Sequence, residues 1–99
     1  MYIYNVTVSI DKELAEEWLT WMKTVHIPDV LNTGHFTDNK ICKVLNVNDD
    51  GETFSVQYNF NNMEDIEAYQ KNHAPRLQAE HSKRYEGKYA AFRTLLEIV

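Results

Sequence analysis

The chain has 99 residues, a net charge of −5 at neutral pH and a pI near 5.2. Its ten basic residues are outnumbered by fifteen acidic ones, which argues against a nucleic-acid partner and against an anionic membrane surface, since both attract basic proteins. A hydrophobic fraction of 43%, with no leader sequence and no apolar run of about 18 residues, indicates one globular domain over residues 1–99, with no membrane partner and a cytoplasmic location.

The first part of the chain predicts a strand and a helix. Residues 2–10 alternate between two sets of side chains, which is typical of a half-buried strand. Asp11 is a suitable N-cap for the helix that follows. We expect Pro28 to end this helix, because proline has no N–H to donate, and a short helical turn then extends to Gly34. The helix has one apolar stripe, which consists of Leu14, Trp18, Trp21, Met22 and Val25.

The middle of the chain predicts a β-hairpin. We expect strands over residues 40–47 and 53–60, joined by a turn at residues 48–51 that contains Asp-Gly. The single cysteine, Cys42, excludes an internal disulfide. It lies in the first of these strand patterns, so we expect a small buried side chain and not a reactive thiol.

The last part of the chain predicts a divided helix and a final strand. Asn61 or Asn62 caps the helix, and Pro75 breaks it into two pieces. Gly87 closes the second piece. The last strand is expected over residues 89–99, with Arg93 on the polar face of the sheet. We expect Arg93 to pair at the surface, as with Glu97 of a neighbour, and holding a carboxylate is the alternative.

The resulting order, β-α-β-β-α-β, predicts a ferredoxin-like α+β fold, in which an antiparallel four-stranded sheet carries helices on one face. The apolar side chains of the first and third strands are expected to face the helices. The opposite side chains are polar without charge, which favours burial against a second copy, and we expect a homodimer through this sheet face. A solvated face that lacks charge is the alternative. These polar residues are Asn5, Thr7, Ser9, Ser55, Gln57 and Asn59.

Two histidines stand two positions before a proline, in His26-Ile27-Pro28 and His73-Ala74-Pro75. His26 falls at the edge of the first helical stripe, where an imidazole near the helix end interacts favourably with the helix dipole. His73 follows Ile66 and Tyr69 on an inward stripe. His81 lies on the inward stripe of the next helix.

These patterns predict a site on the helix-facing side of the sheet. We interpret His73, Tyr69 and His81 as candidate catalytic residues, because imidazole titrates near neutral pH and a phenol can orient a carbonyl or phenolic substrate. The candidate ligand contacts are Tyr4, Tyr58, His26 and Trp18. Ordinary core packing is the alternative for each histidine and for Trp18.

A metal site is not predicted. His73 and His81 are separated by seven residues, which is more than two helical turns, and no carboxylate or cysteine completes a set of ligands.

The strand order and the tryptophan-rich helix that ends in His26-Ile27-Pro28 resemble the dimeric α/β-barrel superfamily, which includes antibiotic-biosynthesis-monooxygenase-like and EthD-like proteins. Residues 18–28 are similar to the His-x-Pro segment of EthD-like members. Residues 69–81 are similar to a segment of the stress-responsive barrel and cyclase branch. The whole chain resembles an uncharacterised family of short bacterial proteins within this superfamily.

The resemblance implies a homodimer in which each protomer holds a small apolar or aromatic ligand between sheet and helices, with no metal or organic cofactor. It implies oxygenation, cyclisation or isomerisation of a small aromatic or cyclic metabolite. Some cyclase-like members have a histidine on the first strand, where this chain has Tyr2, Tyr4 and Asn5, so cyclase chemistry matches least well. Two functions stay open: a cofactor-independent enzyme, and a non-catalytic small-molecule-binding or regulatory dimer.

Overall fold

Four antiparallel strands form the sheet in a computed structural model that describes residues 1–48 and 50–99. The strands are β1 (Tyr2–Ile10), β2 (Asp38–Lys43), β3 (Glu52–Phe60) and β4 (Tyr89–Glu97). Their order across the sheet is β2-β3-β1-β4, and every neighbouring pair is antiparallel. This order confirms the predicted ferredoxin-like β-α-β-β-α-β fold.

The helices lie in two groups on one face of the sheet. The first group is a 3₁₀ turn (Lys12–Leu14), α1 (Ala15–Trp21), a π-helical turn (Met22–His26) and α2 (Ile27–Leu31). The second group is α3 (Met63–Asn72) and α4 (Ala74–Tyr85). Gly34 and Gly87 follow the two groups with φ of +84° and +76°, a left-handed conformation that glycine adopts without strain. No helix in these residues is long and apolar enough to span a membrane.

Pro28 does not end the first helix, so that prediction is wrong. The backbone stays helical at Ile27, whose φ and ψ are −62° and −46°, and Pro28 is the second residue of α2. In a regular α-helix the proline ring would clash with the carbonyl four residues earlier. Here a π-helical turn comes directly before it, and Ile27 N–H donates to the carbonyl of Met22, five residues earlier. This wider turn accommodates the proline within a continuous helical segment.

The π-helical turn also changes which side chains face the sheet. In a regular α-helix, residues four apart drift by about 40° around the axis at each step. Trp18, Met22 and Val30 are nevertheless all 3% exposed or less. His26 lies between Met22 and Val30 in this series of residues four apart, and it is half-buried. Val25, which was predicted on this stripe, is 42% exposed. The extra residue in the turn has moved the inward position from Val25 to His26.

The register of the sheet places the apolar side chains of β1 and β3 towards the helices, as predicted. Tyr4 lies opposite Tyr58, and Val8 lies opposite Phe54. All four are buried in one hydrophobic core with side chains from both helical groups. The large side chains that are fully buried include Trp18, Phe60, Ile66 and Leu77.

The hairpin differs from its prediction in position. β2 begins two residues earlier than expected and ends at Lys43, and Leu45 beyond it is 85% exposed. Cys42 is exposed, not buried, because the pleat turns it away from the helices on an edge strand. The predicted turn includes Asp49, which lies outside the described residues. β4 ends at Glu97, two residues before the predicted end.

Candidate functional site

A cavity of about 40 Å³ lies between the helices and the helix-facing side of the sheet. This volume has room for about three water molecules, since each needs roughly 10–15 Å³ by this measure. Valines of β1 and Ala91 of β4 supply part of its wall. The polar side chains on the wall include Tyr4, Tyr58, Tyr69, His26, His81 and Arg93. The cavity therefore brings together five of the side chains that the sequence singled out, and adds Arg93.

His81 reaches the wall from α4, whose buried face also carries Leu77 and Tyr85. Nε1–H of Trp18 donates to Nε2 of His81 at 2.9 Å, within the core. Because an indole N–H can only donate, Nε2 must accept, and the proton of the neutral imidazole is on Nδ1. That Nδ1–H has no partner among the described residues and is free to bind a ligand.

The surroundings of His81 keep it neutral. Burial lowers the pKa of His81 to about 4, with smaller contributions from His26 and the positive charge of Arg93. The hydrogen bond from Trp18 favours the neutral form as well, because protonation of Nε2 would place two donors against each other. Near neutral pH His81 is thus a hydrogen-bond donor through Nδ1–H, and both of its nitrogens are unsuited to act as a base.

His26 enters the cavity from the π-helical turn. The centroid of its ring lies 5.8 Å from that of His81 and 5.2 Å from the ring of Trp21. Nδ1 of His26 is buried and has no hydrogen-bond partner among the described residues. Such unpaired buried polar atoms are uncommon in folded proteins, and each calls for a partner or a function.

The charge of His26 follows from its burial. Burial lowers the pKa of His26, while the carboxylates of Asp29 and Glu80 oppose this shift and Arg93 adds to it. The lowered pKa favours a neutral ring near pH 7. A ring nitrogen of His26 is then able to accept a proton, which His81 cannot do.

Three of the tyrosines on the wall, Tyr4, Tyr58 and Tyr69, lie close to one another. The rings of Tyr4 and Tyr58 lie 6.0 Å apart, and those of Tyr4 and Tyr69 lie 5.8 Å apart. Burial raises the pKa of both Tyr58 and Tyr69, and the neighbouring tyrosines raise it further. These two phenols stay protonated near neutral pH, so they offer hydrogen bonds and flat apolar surface to a ligand.

The structure does not bring His73 to this cavity. His73 separates α3 from α4, and its φ and ψ are −128° and −39°. These angles interrupt the helix, so the inward stripe does not continue beyond Tyr69 to His73 as expected. Its ring contacts Tyr69 and His35, and it lines a separate surface groove with Arg76. Nδ1 of His35 lies 3.1 Å from a carboxylate oxygen of Asp65.

Trp18 also lies outside the wall. It is fully buried, and its ring packs against Phe54 at a centroid distance of 5.2 Å. Its hydrogen bond to His81 makes it a positioning residue, because the indole orients the imidazole from behind.

Arg93 is the wall residue that the sequence placed on the wrong face. It pairs with Val6 in the β1–β4 ladder, and Val6 faces the helices. Alternation along β4 separates Tyr89, Ala91 and Arg93 from their neighbours, but it does not say which set points inward. Tyr89 pairs with Ile10, a buried core residue, so Tyr89, Ala91 and Arg93 form the set that faces the helices.

The residues described here hold no group of three or more histidine, cysteine or carboxylate side chains that could bind a metal ion. Two histidines, four tyrosines, Gln78 and Arg93 supply the polar groups of the cavity, and no carboxylate lies on its wall. The arrangement is suited to hydrogen bonding and to transfer of a proton through His26.

The sequence matches a protein family over its whole length. The profile of the family described as "Domain of unknown function (DUF4286)" covers residues 1–99. The chain belongs to the DUF4286 family. No curated protein matches it significantly.

Solved structures share the fold of this DUF4286 chain. An ethyl tert-butyl ether d (EthD) family protein from Bacillus halodurans C-125 has a TM-score of 0.70 at 11% identity, with all of both chains covered. A dimeric ferredoxin-like protein from an uncultured marine organism has a TM-score of 0.73 at 13% identity, over 99% of this chain and 94% of the other. An antibiotic biosynthesis monooxygenase-like protein from Nitrosomonas europaea has a TM-score of 0.68 at 11% identity, over 100% and 99%. These findings confirm the resemblance to EthD-like and monooxygenase-like proteins and to an uncharacterised family.

The tautomer and the pKa of His81 can be measured by ¹⁵N NMR of the imidazole. We expect the Nδ1–H form throughout the range from about pH 5 to pH 8, and protonation only near a pKa of about 4. Trp18→Phe removes the indole N–H and should raise the pKa of His81 towards its ordinary value, whereas Trp21→Phe leaves the hydrogen bond in place and serves as the control. An Nε2–H tautomer in the wild-type protein would contradict the assignment.

The same pKa makes stability depend on pH. A histidine of the unfolded chain has a pKa of 6.5, so between that value and about 4 the unfolded state holds more protons than the folded state. Stability should therefore decrease as the pH falls through this window, by up to roughly 1.4 kcal/mol per pH unit. His81→Gln keeps an acceptor for Trp18 and does not titrate, so urea denaturation of this variant should show a shallower pH dependence. Equal slopes in the two proteins would refute this prediction.

Proposed function

We propose that the DUF4286 chain binds a small aromatic or cyclic metabolite in this cavity and catalyses proton transfer on it without a cofactor. The observation that carries the proposal is that two histidines with different hydrogen-bonding roles lie close together on the wall of the cavity. His81 is held by Trp18 as a neutral donor, and His26 beside it is a neutral ring with an unpaired buried nitrogen. One group can stabilise negative charge on oxygen while the other accepts a proton.

The proposed step begins with a ligand whose carbonyl or phenolic oxygen accepts a hydrogen bond from Nδ1–H of His81. From a carbonyl compound, His26 removes a proton from the carbon next to the carbonyl group; the C–H electron pair forms a C=C bond and the C=O pair moves onto oxygen, which gives an enolate. Where a C=C bond lies next to that carbon, the enolate is conjugated, and return of the proton to the far end of the C=C bond moves the double bond, which is an isomerisation that needs no oxidant. From a phenol, His26 removes the O–H proton and leaves a phenolate. Tyr69 contributes hydrogen bonding beside the oxygen, since its phenol stays protonated.

This step is shared by the activities that the fold resemblance implies. Isomerisation, cyclisation and cofactor-free oxygenation of a small ring compound can each start from an enolate or phenolate. The EthD-family and monooxygenase-like structures share the fold. The cavity lies between sheet and helices, where the resemblance implies that the ligand binds. The aromatic wall of Tyr4, Tyr58 and Tyr69 suits a flat ring.

The size of the cavity limits the ligand. With room for about three water molecules, it accepts a ring only if side chains on the wall move. Met22 lines the cavity and has three rotatable bonds and no polar atom that would lose a partner, so it is the side chain best suited to make room.

A non-catalytic binding or regulatory module is the second candidate. It is favoured by the same protonated tyrosines, which recognise a ligand without reacting with it. In that case a ligand would raise the melting temperature by mass action and would itself remain chemically unchanged.

Hydrogen–deuterium exchange into cyclohexanone and γ-butyrolactone, followed by proton NMR in D₂O, tests the proton-transfer step. The wild-type protein should accelerate exchange at the carbon next to the carbonyl. His81→Gln and His26→Gln should each lower this rate by roughly 100-fold. His73→Gln is the control, because His73 lies outside the cavity, and it should retain the rate.

Two results would count against the enzyme. Exchange that is equally fast in His81→Gln would exclude the role of His81. If these compounds raise the melting temperature but do not exchange faster than in buffer alone, the chain is a binding module and not an enzyme for them.

We further propose a homodimer formed through the sheet face opposite the helices. None of the outward side chains of β1, β3 and β4 is charged. Phe92 and Leu96 lie on this face at 63% and 42% exposure, which is costly for a surface open to water. Similar structures are described as dimeric ferredoxin-like proteins, which supports a dimer.

Sedimentation equilibrium tests the dimer. The wild-type chain should sediment at twice its mass of 11.7 kDa. Phe92→Lys places a charge on the proposed interface and should give monomers, because burying an unpaired ammonium group is strongly unfavourable. Val25→Lys makes the same change at an exposed site on the helical side and should leave the dimer intact. A monomeric wild type, or a dimeric Phe92→Lys variant, would disprove this interface.

A further inference from the structure

Arg93 occupies an unusual position on the helix-facing side of the sheet. It lies opposite Val6 in the β1–β4 ladder, and its neighbours on the same face of β4 are Ala91 and Leu95. It makes no ion pair with any carboxylate among the described residues. Arg93 is itself exposed while it lines the cavity, so the cavity reaches the surface on the side of this guanidinium.

The charge of Arg93 acts on the interior of the cavity. Although the chain carries a net charge of −5, no carboxylate lies on the cavity wall. The positive charge of Arg93 contributes to lowering the pKa of His26 and His81, and it opposes the rise in the pKa of Tyr69 that burial causes. A weakly polar cavity with one cation and no anion attracts negative charge.

We propose that the ligand of this cavity is a small carboxylate, whose charged end pairs with Arg93 at the mouth and whose uncharged part points towards His81. This inference rests on the proposed function only in taking the same cavity as the binding site. A guanidinium presents parallel N–H groups that match the two oxygens of a carboxylate, so the pair is bidentate and geometrically specific.

The surroundings favour a single negative charge on the ligand. Arg93 is one cation, and the neutral His81 adds a donor without adding charge. Asp29 and Glu80 act on His26 from the helical side, so a dianion would meet repulsion that one arginine does not offset. A monocarboxylate matches this balance, and the Nδ1–H of His81 then binds an uncharged oxygen of the same ligand.

Matched pairs of probes test the inference. Propanoate is compared with propanamide, and benzoate with benzamide, because each pair has the same shape and differs in charge. Binding is followed by ¹H–¹⁵N NMR of the full chain, including the side-chain Nε–H of Arg93, in a buffer free of carboxylate and phosphate. We expect each carboxylate to bind at least roughly tenfold more tightly than its amide, with shifts at Arg93 and His81. The difference should shrink as salt is added.

Two arginine variants test whether Arg93 causes the preference for carboxylates over amides. Arg93→Gln should remove the preference for the carboxylate, and because Arg93 is exposed the variant should fold normally. Arg76→Gln makes the same change on the separate groove lined by His73 and should keep the preference.

The outcomes separate this inference from the proposed function. Binding of amide and carboxylate with equal affinity, with shifts in the cavity, would overturn the inference and leave the ligand cavity standing. A preference that survives in Arg93→Gln would also overturn it. If none of the four probes perturbs any cavity residue, both the inference and the proposed binding site fail.

Discussion

The hydrogen bond between Trp18 and His81 is the interaction on which the site depends. It joins α1 to α4 across the core at 2.9 Å, between side chains 63 positions apart in the sequence. Each partner is buried, and a buried polar group without a partner costs about 1–3 kcal/mol, so each one satisfies the other. The bond also places the proton of His81 on Nδ1. A feature that stabilises the core therefore determines what the cavity can do.

The second histidine depends on a different constraint, the backbone around Pro28. A regular helix cannot hold a proline at this point, and the chain responds with a π-helical turn instead of an end. The turn brings His26 inward and leaves Val25 exposed. The two histidines thus meet on one wall for unrelated reasons, one from a core hydrogen bond and one from helix geometry.

The charge distribution separates the two faces of the sheet. On the helix side, Arg93 is the charged side chain on a wall otherwise made of neutral groups, within a protein that is acidic as a whole. On the opposite side, β1, β3 and β4 present uncharged side chains, among them the exposed Phe92. We therefore propose different partners for the two faces: a small anion on the helix side, and a second copy of the chain on the uncharged area that β1, β3 and β4 form.

Local patterns in the sequence were sufficient for the fold and for much of the cavity wall. Strand alternation has a period of two, so it identified Tyr4 and Tyr58 as side chains that face the helices. Helical periodicity placed Tyr69 and His81 on inward faces. These signals work because they depend on residues a few positions apart, whose relative directions are set by the backbone geometry of one element.

Only the tertiary structure decided which of these side chains meet. His73 lies at a break between α3 and α4, where the helical period no longer applies, and it faces a different groove. Arg93 belongs to a strand whose alternation is equally consistent with either face until pairing with β1 selects one. The proton position on His81 depends on an indole 63 residues away. The sequence by itself determined the order of the elements and the apolar faces of β1, β3, α3 and α4. Long-range packing determined the chemistry, because register and buried hydrogen bonds exist only between elements.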